Sequence, residues 1–287
     1  MASRPYLERL AARAAAGGSI LCVGIDPDPA ELPPGFDADL DGVERFAALL
    51  LEAAAPVAAA IKPNLAFFEA HGSAGLAALE RLRSRVPDDL PVVMDAKRGD
   101  IASTTAKQAV ALFDALGADA ITVNPYVGSE GLAPLLERAD RFAYVLCRTS
   151  NPGAGELQGL AVAATDGAPA APLWARVARA ASGWGPGGTV GLVVGATAPS
   201  ELAAARRIAP GLAFLVPGLG AQGGELETVL ADGPAAAPPA GERPGGGLLV
   251  NVSRGIARAA ATGVPADLGE ALAEAARDWS ARLPVLR

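Results

Sequence analysis

The sequence predicts an α/β protein built as a single (β/α)8, or TIM, barrel over residues 1–287. Three observations predict it. Short apolar runs recur with helical patterns between them, as in a parallel sheet with crossover helices. There are eight such runs in order, the strand count of the barrel. Each ends in a polar, glycine or proline cluster, and the C-terminal ends of barrel strands are where catalytic side chains gather. A doubly wound open sheet is the alternative. It more usually carries a Gly-x-Gly-x-x-Gly loop after its first strand, where this chain has Asp26-Pro27-Asp28.

Met1 to Gly18 places apolar residues at helical spacing with Arg4, Glu8, Arg9 and Arg13 between them. No uninterrupted apolar segment occurs there, so no signal peptide is expected. The first predicted strand is Ser19 to Ile25, followed by a helix around Val43 to Ala54. The second strand, Val57 to Ile61, ends in Lys62-Pro63-Asn64, and a helix over Ser73 to Val86 leads to the third, Leu90 to Met94. A predicted helix from Ile101 to Leu116 precedes the fourth strand, Ala120 to Val123. The fifth, Phe142 to Leu146, ends near Arg148-Thr149-Ser150, and the sixth is Val190 to Val194. The seventh, Ala213 to Val216, and the eighth, Gly247 to Val250, end in Pro217-Gly218-Leu219-Gly220 and Asn251-Val252-Ser253-Arg254. Two segments interrupt the rhythm. Asn151 to Gly188 is long, with a helix predicted near Leu173 to Ala181. Ala231 to Gly246 reads as a mobile low-complexity insertion overlooking a phosphate site, either as a lid or as a tolerated addition.

Composition narrows the function. Hydrophobic residues make up 51% of the chain and aromatics 5%, so the core is aliphatic and rich in alanine. A net charge of −7 argues against non-specific binding to nucleic acid or anionic membrane. An anionic substrate would need local positive charge against that background. Cys22 and Cys147 are the two cysteines, each within a predicted strand, and read as buried thiols of a reducing, cytoplasmic compartment. No stretch reaches the roughly 18 uncharged apolar residues of a membrane span.

The most informative stretch is Asp95-Ala96-Lys97-Arg98-Gly99-Asp100-Ile101. Three of its charges, Asp95, Lys97 and Asp100, follow a buried strand in an acid–base–acid row, with Asp95 and Lys97 on one face because side chains alternate along a strand. A surface salt-bridge cluster would have the same composition. The placement at a strand's C-terminal end favours chemistry. Lys62, one strand earlier, would project into the same mouth, and two lysines interleaved with two aspartates hold one another charged. Gly218-Leu219-Gly220-Ala221-Gln222-Gly223-Gly224 and Ser253-Arg254-Gly255 follow the last two strands, where barrels commonly bind phosphate through backbone N–H groups. His71, the only histidine, has no companion ligands and reads as structural, and Arg98 and Lys107 read as solvated helix-surface charges.

Together these residues resemble the orotidine 5′-phosphate decarboxylase family. The resemblance runs in order through Lys62, Asp95-x-Lys97-x-x-Asp100-Ile101 and Pro217-Gly218-x-Gly220-x-Gln222-Gly223. Lys62-Pro63-Asn64 and Ser150-Asn151-Pro152-Gly153 resemble the longer bacterial branch. The resemblance implies decarboxylation of orotidine 5′-phosphate to uridine 5′-phosphate without metal or other cofactor. Lys97 then resembles the proton donor to C6, Asp95 the carboxylate beside the substrate's carboxyl group, and Lys62 the lysine bridging the charged row and the ribose. Asp100 and Thr104 resemble residues donated across a homodimer interface. Asp26 resembles the ribose ligand, Ser150 the contact to the pyrimidine edge, and Gln222 and Arg254 the phosphate clamp. Ser253 stands where many relatives have glycine and still offers a backbone N–H. Metal-dependent sugar-phosphate decarboxylases and aldolases share the Asp-x-Lys-x-x-Asp core, but resemble this chain less because they carry an acidic ligand where it has Lys62. A non-catalytic phosphate-binding protein would leave the charged row unexplained.

Overall fold

The computed structural model describes residues 4–165, 168–220, 223–262 and 268–286. Among them, eight parallel strands form one sheet: β1 (Leu21–Ile25), β2 (Ala60–Pro63), β3 (Val93–Arg98), β4 (Ala120–Val123), β5 (Phe142–Arg148), β6 (Val190–Val194), β7 (Ala213–Val216) and β8 (Leu249–Val252). The spatial order is β2-β1-β8-β7-β6-β5-β4-β3. Isolated parallel bridges between Ile61 and Val92 and between Asn64 and Asp95 bring β2 against β3, so the predicted barrel is present.

Alternation along the strands divides the molecule into two layers. Val23, Ile25, Ile61, Met94, Ile121, Val145, Leu192 and Val216 face outward and pack under the helices. Cys22, Ala60, Val93, Ala120, Phe142, Tyr144, Ala213 and Leu249 form a separate inner cluster. The helix α1 (Tyr6–Gly17) inserts Tyr6, Leu7 and Leu10 into this inner cluster. Tyr6 stacks on Phe142 with ring centroids 4.9 Å apart, and its hydroxyl lies 3.2 Å from that of Tyr144. The N-terminal helix thus closes one end of the barrel with side chains.

Asp119, just before β4, ties that end together. Its carboxylate accepts from the backbone N–H of Val92 at 2.8 Å and from Arg9 at 2.5 Å, and Arg141 approaches to 3.4 Å. Three elements distant in sequence therefore meet on one buried anion.

Four strand assignments shift from the sequence pattern. β2, β3, β5 and β8 continue past the apolar runs, to Pro63, Arg98, Arg148 and Val252. Hydrophobicity reports what side chains bury, whereas backbone pairing continues beneath inward polar side chains that satisfy one another. The helix expected over 101–116 is α-helical at Ala102–Ala109 and widens to a π turn at Val110–Ala115. A two-residue antiparallel pair, Ala161–Val162 with Ala171–Pro172, lies within the long connection after β5.

Residues 231–246 require a correction, because they do not overlook a phosphate site. They begin in the last turn of the helix Leu226–Asp232 and sit at the end of the barrel plugged by α1, where Ala235 and Ala240 join the inner cluster of Tyr6 and Phe142. The N–H groups of Ala236 and Ala237 donate to the Pro210 carbonyl, and that of Ala240 to Gly211. A helix-to-strand connection necessarily lands at the N-terminal ends of the strands. The connection that can cover the opposite mouth is the one leaving β7.

Removing the shared anion should loosen this plugged end. Asp119→Ala leaves Arg9 and the Val92 N–H without their buried partner and is expected to cost about 3–5 kcal/mol. Equilibrium denaturation of the two proteins checks this, and a loss below about 1 kcal/mol, the worth of an exposed pair, would contradict it.

Candidate active site

The inward parity that fills the plugged end with apolar groups fills the open end with polar ones. Two residues beyond Ala60, Val93, Ala120 and Leu249 stand Lys62, Asp95, Thr122 and Asn251. These four line a cavity of about 480 Å³ together with Lys97, Ser150 and Arg254. Leu146, Val193 and Leu215 give it an apolar wall.

Asp95 is the hub. Lys62 Nζ lies 2.6 Å from its Oδ2 and Lys97 Nζ 2.5 Å from its Oδ1. The Thr122 hydroxyl donates to Oδ1 at 2.9 Å and accepts the Lys97 backbone N–H at 3.0 Å. Burial opposes the charge on Asp95, but the two ammonium groups outweigh it and hold the carboxyl well below the usual carboxylate range. Burial likewise opposes the charge on Lys62, and the Asp95 and Asp26 carboxylates override it, raising Lys62 above the usual amine range. The pair therefore stays ionised across the whole interval between those ranges.

Lys62 is 4% exposed, whereas half of the Lys97 side chain is open to the cavity and solvent. Lys97 also has φ +47°, the only described non-glycine residue with positive φ. Such a conformation costs on the order of 1–3 kcal/mol. It coincides with a register shift between Met94 and Arg98 against β4. The irregularity turns the lysine back onto Asp95, and pairing with β4 resumes at Arg98 opposite Val123.

The remaining predicted residues divide clearly. Asp26, Ser150, Ser253 and Arg254 all line the cavity. Asp26 Oδ1 and Asn251 Oδ1 are buried without a hydrogen-bond partner among the described residues, acceptors ready for donors of a ligand. Arg254 makes no ion pair among the described residues and stands exposed at the start of a short helix after β8. Gly24 is required beside it, since a Cβ there would fall 1.8 Å from Ser253 Oγ. Gly218 adopts φ +100° and lines the cavity. Gln222 lies outside the described residues. A second cavity of about 480 Å³ adjoins the first, sharing Asp26, Ser253 and Arg254.

Asp100 and Thr104 are not brought to this cavity. Asp100 Oδ1 accepts the N–H of Ile101 at 2.7 Å, and Thr104 is exposed on the following helix. Arg98 pairs with Glu69 rather than standing solvated. His71 precedes the helix Gly72–Ser84 away from the cavity, and Lys107 is exposed. Sequence reasoning passed over Thr122, Asn251 and Gln158 as site residues. Strand parity could have found the first two. Gln158, in the short helix Gly155–Gln158, reaches the cavity only through tertiary folding.

Among the described residues, no group of three or more His, Cys, Asp or Glu side chains could hold a metal ion. No described helix is long and apolar enough to cross a membrane.

Comparison with known proteins agrees with this geometry. Residues 19–266 match the model of the orotidine 5′-phosphate decarboxylase / HUMPS family. An orotidine 5′-phosphate decarboxylase of Thermomicrobium roseum is 46% identical over 281 residues, covering 97% of this chain and 95% of the relative. One from Roseiflexus castenholzii is 46% identical over 278 residues, with the same shares covered. The crystal structure of a Toxoplasma gondii protein described as a putative orotidine-monophosphate decarboxylase superposes with a TM-score of 0.82 at 36% identity, over 98% of this chain and 95% of that one. The identity extends through nearly the whole barrel, and the chain belongs to the orotidine 5′-phosphate decarboxylase / HUMPS family.

Proposed function

We propose that the protein decarboxylates orotidine 5′-phosphate to uridine 5′-phosphate in pyrimidine biosynthesis, in the cytoplasm. The observation that carries this reading is the Lys62–Asp95–Lys97 row in the cavity that also holds Arg254 and Gly218. Buried, separate Cys22 and Cys147 thiols fit the reducing compartment.

The row suits a reaction whose difficulty is charge. Breaking the bond from C6 to the carboxyl group releases carbon dioxide and leaves the electron pair on C6. The ring delocalises that pair poorly, so the site must favour it electrostatically. Lys97 carries an ammonium at the cavity side of Asp95 and passes its proton to C6. The neutral amine then regains a proton from solvent through its exposed side. Asp95, held ionised by Lys62 and Lys97, sits where the substrate carboxylate is repelled and the departing neutral molecule is not. Asp26 and Lys62 bind ribose hydroxyls, and Ser150 touches the pyrimidine edge. The loops after β7 and β8, with Gln222, Arg254 and the Ser253 N–H, take the phosphate, whose binding energy is expressed in the transition state.

Asp100 and Thr104 belong, in this reading, to the neighbouring subunit's site in a homodimer. They stand outside their own cavity, among exposed apolar side chains: Ile101, Val127 and Tyr126, the last 90% exposed. A Cβ on Gly131 would lie 2.8 Å from the Asp100 carbonyl and 3.1 Å from Val127, so this acidic residue and the apolar patch are one surface. An apolar patch of this kind fits an isologous contact.

The direct test follows the ultraviolet absorbance of orotidine 5′-phosphate as it is consumed, before and after exhaustive chelation. Full activity is expected in both cases, because the Lys62 ammonium at the strand end repels a divalent cation. Loss on chelation that Mg²⁺ restores would move the assignment to a metal-dependent relative.

Lys97→Ala is expected to lower kcat by at least roughly 10³-fold while uridine 5′-phosphate still binds, since the lysine acts on the carbanion. Arg254→Ala should weaken phosphorylated ligands by about 1.5–3 kcal/mol, the worth of hydrogen bonds to a charged group, and leave uridine unchanged. Equal weakening of both ligands would remove Arg254 from the phosphate site.

Shared sites have their own measurement. Lys62→Ala and Asp100→Ala subunits, each inactive alone, are allowed to exchange. About half the dimers are then mixed, and each mixed dimer has one site free of both lesions, so about a quarter of all sites recover. No recovery after verified exchange would exclude the shared site.

A further inference from the structure

The irregularity in β3 lies opposite a single residue of β4. Met94 pairs with Ile121 and Arg98 with Val123, so Asp95, Ala96 and Lys97 together stand across from Thr122. On its other edge β4 is regular, with Thr122 opposite Tyr144 in an unbroken register against β5 from Ala120 to Val123. The deformation is therefore confined to β3, and β4 is the fixed side. Extra residues of this kind re-aim side chains beside active sites.

One hydroxyl links the deformed strand to the fixed one. The Lys97 N–H donates to Thr122 Oγ1 at 3.0 Å, and the Thr122 hydroxyl donates to Asp95 Oδ1 at 2.9 Å. Both directions are set by chemistry. An amide N–H can only donate, and Asp95, ionised between two ammonium groups, can only accept. Oδ1 is also the oxygen that Lys97 Nζ reaches at 2.5 Å. Thr122 thus holds Lys97 at both ends, its backbone directly and its ammonium through Asp95. Thr122 is itself well fixed, being 2% exposed and β-branched, which restricts its χ1. Beyond Lys97, the Arg98 carbonyl accepts the Asn124 N–H at 2.8 Å and returns the chain to β4. Lys97, with φ +47°, lies between these two attachments. Such a conformation persists only where its surroundings over-determine it.

We propose that Thr122 is a positioning residue, whose hydroxyl holds Lys97 in the left-handed conformation that places its ammonium at C6 and fixes the rotation of the Asp95 carboxylate. The inference rests on the nucleotide reading above, in which Lys97 delivers the proton. Thr122 takes no part in the bond changes itself. Its effect belongs to the chemical step, not to nucleotide binding, which Asp26, Lys62 and Arg254 supply.

Thr122→Val keeps the side-chain shape and removes the hydroxyl. Under single-turnover conditions, where product release does not mask chemistry, it should slow decarboxylation roughly ten- to hundredfold, the worth of a hydrogen bond to a charged group. The inhibition constant of uridine 5′-phosphate, which lacks the carboxyl group, should stay near the wild-type value. Thr122→Ser keeps both donor and acceptor and should recover most of the lost rate.

The proton step has its own readout. By microscopic reversibility, neutral Lys97 removes the C6 hydrogen of uridine 5′-phosphate, exchanges it with solvent and returns deuterium. In deuterium oxide, loss of the C6 proton NMR signal follows this step without carbon dioxide or a substrate carboxylate. Thr122→Val should slow it together with decarboxylation. Exchange at the wild-type rate would show Lys97 still in place and overturn the proposal. A serine variant as slow as the valine variant, or nucleotide binding weakened as much as the rate, would overturn it as well. In each case turnover by the wild type leaves the functional reading standing. A wild type that neither binds uridine 5′-phosphate nor consumes orotidine 5′-phosphate overturns that reading, and the role of Thr122 with it.

Discussion

The two-residue alternation of eight parallel strands is the constraint on which the rest of this structure depends. Every second side chain points into the barrel, so each strand contributes a short ladder to one shared interior. The lower rungs are Ala60, Val93, Ala120, Phe142 and Leu249, packed against Tyr6 from the N-terminal helix. The next rungs are Lys62, Asp95, Thr122 and Asn251. Nothing in the backbone distinguishes the two layers. The chemistry of the upper layer begins where the apolar plug stops.

That position explains how the site tolerates its charges. An isolated ammonium as deep as Lys62 would lose its proton rather than stay ionised. Asp95 prevents this, and Asp95 is in turn held by Lys62, Lys97 and Thr122. Lys62 comes from β2, Asp95 and Lys97 from β3 and Thr122 from β4, so three neighbouring strands place the charges. The left-handed backbone at Lys97 is part of the same arrangement, because it falls at the register shift against β4 where the lysine folds over Asp95. Local strain at one residue is offset by two short ion pairs.

The two ends of the barrel divide the work of folding and function. At the plugged end, α1, the chain before β4 and the segment 231–246 converge on aromatic rings and one buried carboxylate. At the open end, Asp26 Oδ1 and Asn251 Oδ1 are left without a hydrogen-bond partner among the described residues. The first end is organised around the Asp119 carboxylate and its donors, whereas the second leaves acceptors in its cavity for a ligand. Connections obey the same division, since strand-to-helix loops border the cavity and helix-to-strand loops border the plug.

The sequence by itself determined the strand count, the barrel and the charged row, because each is written within a few neighbouring residues. Val190–Val194 and Ala213–Val216 carry no polar side chain, Ala120–Val123 carries only Thr122, and all three coincide with their strands. β2, β3, β5 and β8 were cut short where polar side chains begin, because a hydrophobic run cannot report backbone pairing under a polar rung. Lys62, Asp95 and Lys97 were legible through their place at strand ends. Thr122 and Asn251 were not, because a threonine or an asparagine is ordinary until its strand's register is known. The segment 231–246 misled for a related reason: its composition says nothing of which end of the barrel it meets. Only the tertiary structure decided that Asp100 stands outside its own cavity and that Thr122 bridges Asp95 and Lys97. Both depend on contacts between segments whose relation is fixed by barrel closure rather than by local pattern.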